Sequence, residues 1–185
     1  MRSAVSAWTS LPVGVVTLAE RFGGHHVTPE LFEAMVDHVT EMIAPFEGAN
    51  AFRGRMEGTY VHLLGTSGTV TTVAGIQLGL KRYDRTRVDG CWLDVKEVRD
   101  VSYRLLACSY EERVAEPCIG RERADLVLAG CAILEALLRM WPADRLRVAD
   151  RGLREGILAT LMSEDGVYRA GRRRRRRFDT ERQSS

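Results

Sequence analysis

Between Gly65 and Thr69 the chain reads G-T-S-G-T, two glycines and three hydroxyls within five residues. The glycines open backbone conformations that other residues avoid. Ahead of them, Tyr60 to Leu64 is a short apolar run of the kind that forms a buried strand. Behind them, Val70, Val73, Ala74, Ile76 and Leu80 mix with small residues, as on a buried helix. A strand–loop–helix junction aims unpaired backbone N–H groups at one point, and the helix dipole favours negative charge there. The chemistry on offer is the grip of a phosphate or another anion, with Thr66, Ser67 and Thr69 lining the loop. The pattern is a weak one, and the same hydroxyls would equally suit a tight turn that only caps the helix.

A second anion-binding candidate is the run Arg172, Arg173, Arg174, Arg175, Arg176 and Arg177. Like charges in such a run repel one another, so a disordered tail is expected over residues 166–185. The tail could hold polyphosphate or nucleic acid without sequence preference, through salt-sensitive contacts. Only Phe178 adjoins the run as an aromatic, which argues against base-specific stacking. The net charge of +2 conceals this asymmetry, because the body of the chain is mildly acidic. Metal chemistry has little support. His25 and His26 follow Gly23-Gly24 and read as solvated loop residues, with His38 far along the next helix. Cys91, Cys108, Cys118 and Cys131 show no C-x-x-C spacing, and Cys131 sits in an apolar run as packing. With no secretory pattern behind Met1 and no membrane-length apolar run, a cytoplasmic chain with reduced thiols is expected.

The elements that would position these groups alternate between strand and helix. Val13 to Leu18, β-branched and apolar, reads as a strand. Thr28-Pro29-Glu30 starts a helix whose Phe32, Met35, Val36, Val39, Met42 and Ile43 face inward, with Pro45 and Gly48 expected to stop it. The charged stretch from Lys81 to Gly90 reads as a loop. Asp94-Val95-Lys96-Glu97 is a capping box opening a helix, and Ser109 opens a shorter one that Pro117 ends. Leu126 to Met140 is apolar nearly all round, a buried helix in which Gly130 marks close packing against another backbone. Leu146 to Ala149 is a strand, Arg151-Gly152 a turn, and Leu153 to Met162 a helix. Strands separated by helices imply an α/β fold with parallel pairing, although few strands are visible.

Several ordered segments together resemble the exopolyphosphatase / guanosine-pentaphosphate phosphatase family. They are Ser10-Leu11-Pro12-Val13-Gly14 through Glu20-Arg21-Phe22; Gly65-Thr66-Ser67-Gly68-Thr69 with Val70-Thr71-Thr72-Val73-Ala74; Val88-Asp89-Gly90; Glu112-Arg113; Glu122-Arg123-Ala124-Asp125 with Ala129-Gly130; and Asp150-Arg151-Gly152-Leu153-Arg154-Glu155-Gly156. The resemblance implies an actin/sugar-kinase fold of two ribonuclease-H-like domains, with substrate in the cleft between them. It implies hydrolysis of terminal phosphoanhydrides of polyphosphate or of guanosine pentaphosphate, usually with Mg²⁺. Residues 1–165 would be an incomplete second domain, without the first domain, its catalytic base and the D-I-G-G-G-S hairpin. On that reading Gly65, Thr66, Ser67, Gly68 and Thr69 face the phosphate cleft. Arg123 is the cationic contact, a guanidinium matching phosphate geometry, unless it pairs with Glu122 or Asp125. Arg154 and Glu155 read as a surface pair. No residue matches the family's base or its metal ligands, and Asp150 fits a structural motif better than a catalytic one. The strands at 13–18 and 60–64 would then lack the strands that belong between them. The isolated chain is expected to be inactive, and to form homo-oligomers or borrow strands from another chain. Alternatives are a polyanion-binding module acting through the tail, or an inactive regulatory fragment.

Overall fold

The computed structural model describes residues 5–166. Residues up to Asp150 form one compact unit and those from Arg151 a second. The arginine run at 172–177, read from sequence as a polyanion-binding tail, lies outside the described residues.

The first unit opens on helix α1, Val15–Phe22, where a strand is expected over residues 13–18. The reason lies in the spacing. Val15, Leu18, Ala19 and Phe22 recur at helical intervals and turn toward the core, whereas Val16 and Thr17 are exposed. Thr17 fixes the start: its hydroxyl oxygen accepts the Gly14 N–H at 2.9 Å. Gly23, at φ +89°, ends the helix in a conformation that suits glycine.

Helix α2, Pro29–Asn50, begins as expected, with Thr28 Oγ1 accepting the Leu31 N–H. It does not stop at Pro45. That proline and Glu41, one turn earlier, are both exposed, so the carbonyl left without a donor faces water. The turn beyond is held by tertiary contacts: Phe46 lies edge-on to Trp141, and the indole Nε1–H donates to Glu47 at 2.6 Å. The stretch expected to be loop then holds a short helix, α3, Phe52–Met56.

Strand β1, Leu63–Gly65, runs into helix α4, Gly68–Gln77. The charged stretch after it contains a single turn, α5, Arg85–Val88, because Asp84 accepts the Thr86 N–H and hydroxyl. Strand β2, Trp92–Asp94, leads directly into helix α6, Val95–Ala107, through the Asp94–Glu97 capping box. Helix α7, Tyr110–Ala115, is capped by Ser109. Helix α8, Val127–Met140, is the buried axis of the unit. Strand β3, Arg145–Val148, completes the sheet.

The sheet order is β1-β3-β2. β1 and β3 are parallel, as expected; β2 pairs with β3 antiparallel, which the pattern did not foresee. No strand exists at residues 13–18, so no gap separates it from β1. Instead β3 is central and β1 is an edge.

The core gathers around α8, packed against α2, α1, α6 and α4. Its buried carboxylate is satisfied: Glu135 accepts from Arg99 and Arg139, and Arg139 also forms a two-pronged pair with Glu33. Gly130 does mark a close approach, but to a side chain: a β-carbon there would stand 2.1 Å from Thr69 Oγ1.

In the second unit, helix α9, Leu153–Glu164, starts where Gly152 N–H donates to Glu155 Oε2. Leu153, Ile157, Leu158 and Leu161 on it are exposed. No helix among the described residues is long and apolar enough to cross a membrane.

Candidate functional site

The loop from Gly65 to Thr69 is placed by contacts at both ends. Gly65 ends β1, and its carbonyl accepts the Ala149 N–H beyond β3. A β-carbon at Gly65 would stand 2.8 Å from both methyls of Val70, so only glycine lets the strand meet the helix this closely. Ser67 is the N-cap of α4, its Oγ accepting the Val70 N–H at 3.3 Å. Thr71 N–H bonds the Ser67 carbonyl, and the Thr71 hydroxyl donates to the Gly68 carbonyl. Thr69 is seated against Gly130 of α8.

This arrangement satisfies the third and fourth donors of α4 and leaves the first two, the Gly68 and Thr69 N–H groups, without an acceptor among the described residues. Thr66, Ser67 and Gly68 are exposed. The hydroxyl of Ser67 therefore both caps the helix and lies beside the free donors, so the two readings of this loop are compatible.

Arg123 comes to the same place. It sits in the turns before α8, and its Nη1 lies 3.9 Å from where a Gly68 β-carbon would stand. The ion pair with Glu122 or Asp125 is not formed; among the described residues Arg123 makes no salt bridge. An exposed guanidinium beside two unpaired helix N–H groups makes a local field suited to an oxyanion.

A polar cleft of about 390 Å³ extends from the loop, lined by Thr66, Ser67, Gly68, Tyr83, Arg123 and Asp150 among others. Its far wall is a cluster that sequence reasoning missed. Tyr83 donates its hydroxyl to Asp150 Oδ2 at 2.9 Å, and Arg85 Nε lies 3.1 Å from the same oxygen. Arg85 also donates to the Asp150 carbonyl, and Asp150 N–H donates to Asp89. Partial burial, reinforced by the Asp150 carboxylate, holds the Tyr83 hydroxyl above the ordinary phenol range. Tyr83, Arg85 and Asp89 all fall in or beside the stretch read as a charged loop. The Asp84-x-Thr86 turn was the available signal that this stretch is ordered.

Asp150 is thus committed to Tyr83 and Arg85, in keeping with a structural role. Among the described residues no group of three or more His, Cys, Asp or Glu is placed to hold a metal ion. Mg²⁺, implied by the resemblance, therefore finds no donor set in this chain's described part. His25 stacks on Tyr110 and is exposed beside His26, as loop histidines. Cys131 is buried packing, its thiol pushed up to about 11 by burial.

A buried arginine braces the segment that carries Arg123. Arg113, 2% exposed, donates to the carbonyls of Ala124, Cys108 and His25 at 3.1, 2.8 and 2.8 Å, and to Gly24. It ties α7 and the loop after α1 to the segment that carries Arg123. Burial pulls its ionisation below the usual guanidinium range.

The model of the Ppx/GppA phosphatase family matches residues 1–165. An Aquifex aeolicus member of that family superposes with a TM-score of 0.72 at 26% identity, covering 85% of this chain and 49% of that one. An exopolyphosphatase-like protein gives 0.70 at 27% identity, over 82% and 49% of the two chains. An exopolyphosphatase from Cytophaga hutchinsonii gives 0.70 at 24% identity, over 84% and 49%. The chain spans about half the length of these structures.

Proposed function

We propose, on the premise that this chain belongs to the Ppx/GppA phosphatase family, that it supplies one wall of a site cleaving terminal phosphoanhydrides. The substrate class is polyphosphate or guanosine pentaphosphate. Residues 1–165 act as an incomplete second domain, and residues 166–185 as an arginine-rich extension of it. The observation that carries the proposal is the meeting of two free N–H groups, at Gly68 and Thr69, with the unpaired guanidinium of Arg123.

The chemistry follows from charge. Hydrolysis moves negative charge onto the equatorial oxygens of the transferred phosphoryl group and onto the leaving oxygen. Fixed donors aimed at those oxygens lower the barrier without reorganising. The Gly68 and Thr69 N–H groups and the Ser67 hydroxyl hold a terminal phosphate, while Arg123 offsets its charge. Asp150 and Arg85 hold the loop after β3 as the opposite wall. Activation of water needs a base within hydrogen-bond reach, and Asp150 is already committed. The base, and any Mg²⁺ ligands, belong to the half of the fold that has no counterpart here.

The test is phosphate release from polyphosphate and from guanosine pentaphosphate. The chain alone is expected to release none. Mixed with the unmatched half of the Aquifex aeolicus protein, expressed separately, it is expected to gain metal-dependent release that Arg123→Gln reduces. Robust release by the chain alone would overturn the assignment of the base to the other half. Release from the mixture unaffected by Arg123→Gln would remove that residue from the site.

A further inference from the structure

We infer that the outer face of the sheet is a stacking platform for single-stranded nucleic acid, centred on Trp92, with Arg147 as its phosphate contact. The inference goes beyond the proposed function and does not rest on it.

Strand register sets the platform. Side chains alternate across a strand, and Leu93, Leu146 and Val148 point into the core. Trp92, Arg145 and Arg147 therefore stand on the opposite face, with Trp92 directly across from Arg147. The indole leans over the central strand β3 to reach His62, just ahead of β1, in an edge-on contact with ring centroids 4.9 Å apart. The guanidinium carbons of Arg145 and Arg147 lie 4.8 and 5.3 Å from the indole centroid. Three neighbours thus fix the ring, and it is still 38% exposed.

Charge and shape select the occupant. A hollow of about 510 Å³ opens beside the indole, lined by Tyr60, His62, Trp92, Pro142, Asp144 and Arg145 among others. Tyr60 is fully exposed. Aromatic faces beside fixed cations suit a base that carries its own phosphate: the base stacks and the phosphate meets a guanidinium. Arg145 is partly offset by Asp94, 3.7 Å away. Arg147 forms no ion pair among the described residues, and its contact with the indole leaves its charge uncompensated. Asp144 repels phosphate at the hollow itself, so the base enters there and the phosphate falls to Arg147. Tyr60, His62 and Trp92 present three rings, more than a single base covers, which favours a strand over a free nucleotide. The arginine run at 172–177 has only Phe178 beside it, so the sheet face supplies the stacking surface that the run lacks.

The experiment measures fluorescence anisotropy of labelled oligothymidylate titrated with the full chain. Raised salt is used, where binding by charge alone fades. Trp92→Ala should weaken the strand about tenfold, and Trp92→Phe, which keeps a ring, should restore most of the loss. Arg147→Gln should weaken binding and lower the salt slope by about 1. Tripolyphosphate has no base to stack, so its binding should be the same in Trp92→Ala and the parent chain. Circular dichroism of each variant reports whether it folds. Equal strand affinity in Trp92→Ala and the parent would assign the contact to charge alone and overturn the inference. Thymidine monophosphate binding as tightly as the strand would make the hollow a mononucleotide site and overturn it too. Displacement of the strand by polyglutamate at equal concentration would make the face a docking patch for an acidic protein, with the same consequence.

Discussion

Replacing Gly130 by alanine sets two physical effects against each other. In an ordinary helix interior the change stabilises by about 1 kcal/mol, because glycine has more backbone freedom to lose. Here the new methyl would stand 2.1 Å from Thr69 Oγ1, 2.8 Å from its Cγ2 and 3.0 Å from its Cβ. Unstrained carbon contacts need about 3.5–4.0 Å. Rotating the Thr69 side chain moves Oγ1 and Cγ2 but not Cβ, so the first turn of α4 must shift. Overpacking of this kind costs about 1–3 kcal/mol, leaving Gly130→Ala destabilising by up to about 2 kcal/mol after the propensity gain. The displaced turn carries the Gly68 and Thr69 N–H groups, so tripolyphosphate binding should weaken as well. Urea unfolding of the single variants and of Gly130→Ala with Thr69→Ala forms a double-mutant cycle. The second change removes the two nearest atoms, and in that background Gly130→Ala should cost less than about 0.5 kcal/mol. A Gly130→Ala variant more stable than the parent chain would refute the account of how α8 seats the loop.

Three further outcomes follow from the packing. Pro45→Ala should stabilise the chain by about 1–3 kcal/mol, since α2 runs through this exposed position and proline costs about 3 kcal/mol inside a helix; no change in the urea midpoint would indicate a helix that ends before it. Arg113→Met keeps the bulk but strands four carbonyls in the interior, and should cost at least about 3 kcal/mol, read as a lowered unfolding midpoint or loss of a cooperative transition. Burial raises the Cys131 thiol from 9.0 to about 11. Folding therefore favours its neutral form, and that contribution is complete below pH 9 and lost as pH rises through 11. Stability should fall over this window by about 2–3 kcal/mol more in the parent than in Cys131→Ala, measured by urea titration at each pH.

What was legible in the sequence were the features written in local chemistry. Thr28-Pro29, Asp94-x-x-Glu97 and Ser109 announce helix starts because the capping groups lie within one turn of what they cap. The glycine loop was visible for the same reason. Residues 13–18 misled because β-branched composition was weighed above the helical spacing of Val15, Leu18, Ala19 and Phe22. Pro45 misled because its local cost is offset by contacts that the neighbouring Phe46 makes to Phe52 of α3 and to Trp141, just past the end of α8. The Tyr83–Arg85–Asp150 cluster joins residues more than sixty positions apart, which no periodicity reports. Arg123 reached the candidate site only through the family resemblance; its proximity to Gly68 is a product of the turns ahead of α8.

The central claim is that the Gly68–Thr69 helix start and Arg123 together grip a phosphate chain. Amide and guanidinium NMR shifts of the full chain titrated with inorganic tripolyphosphate test it most directly. The account predicts saturable shifts at the Gly68 and Thr69 amides and at the Arg123 side chain, all lost together in Arg123→Gln and weakened by salt. Shifts confined to other residues, or unchanged amide shifts in Arg123→Gln, would contradict it.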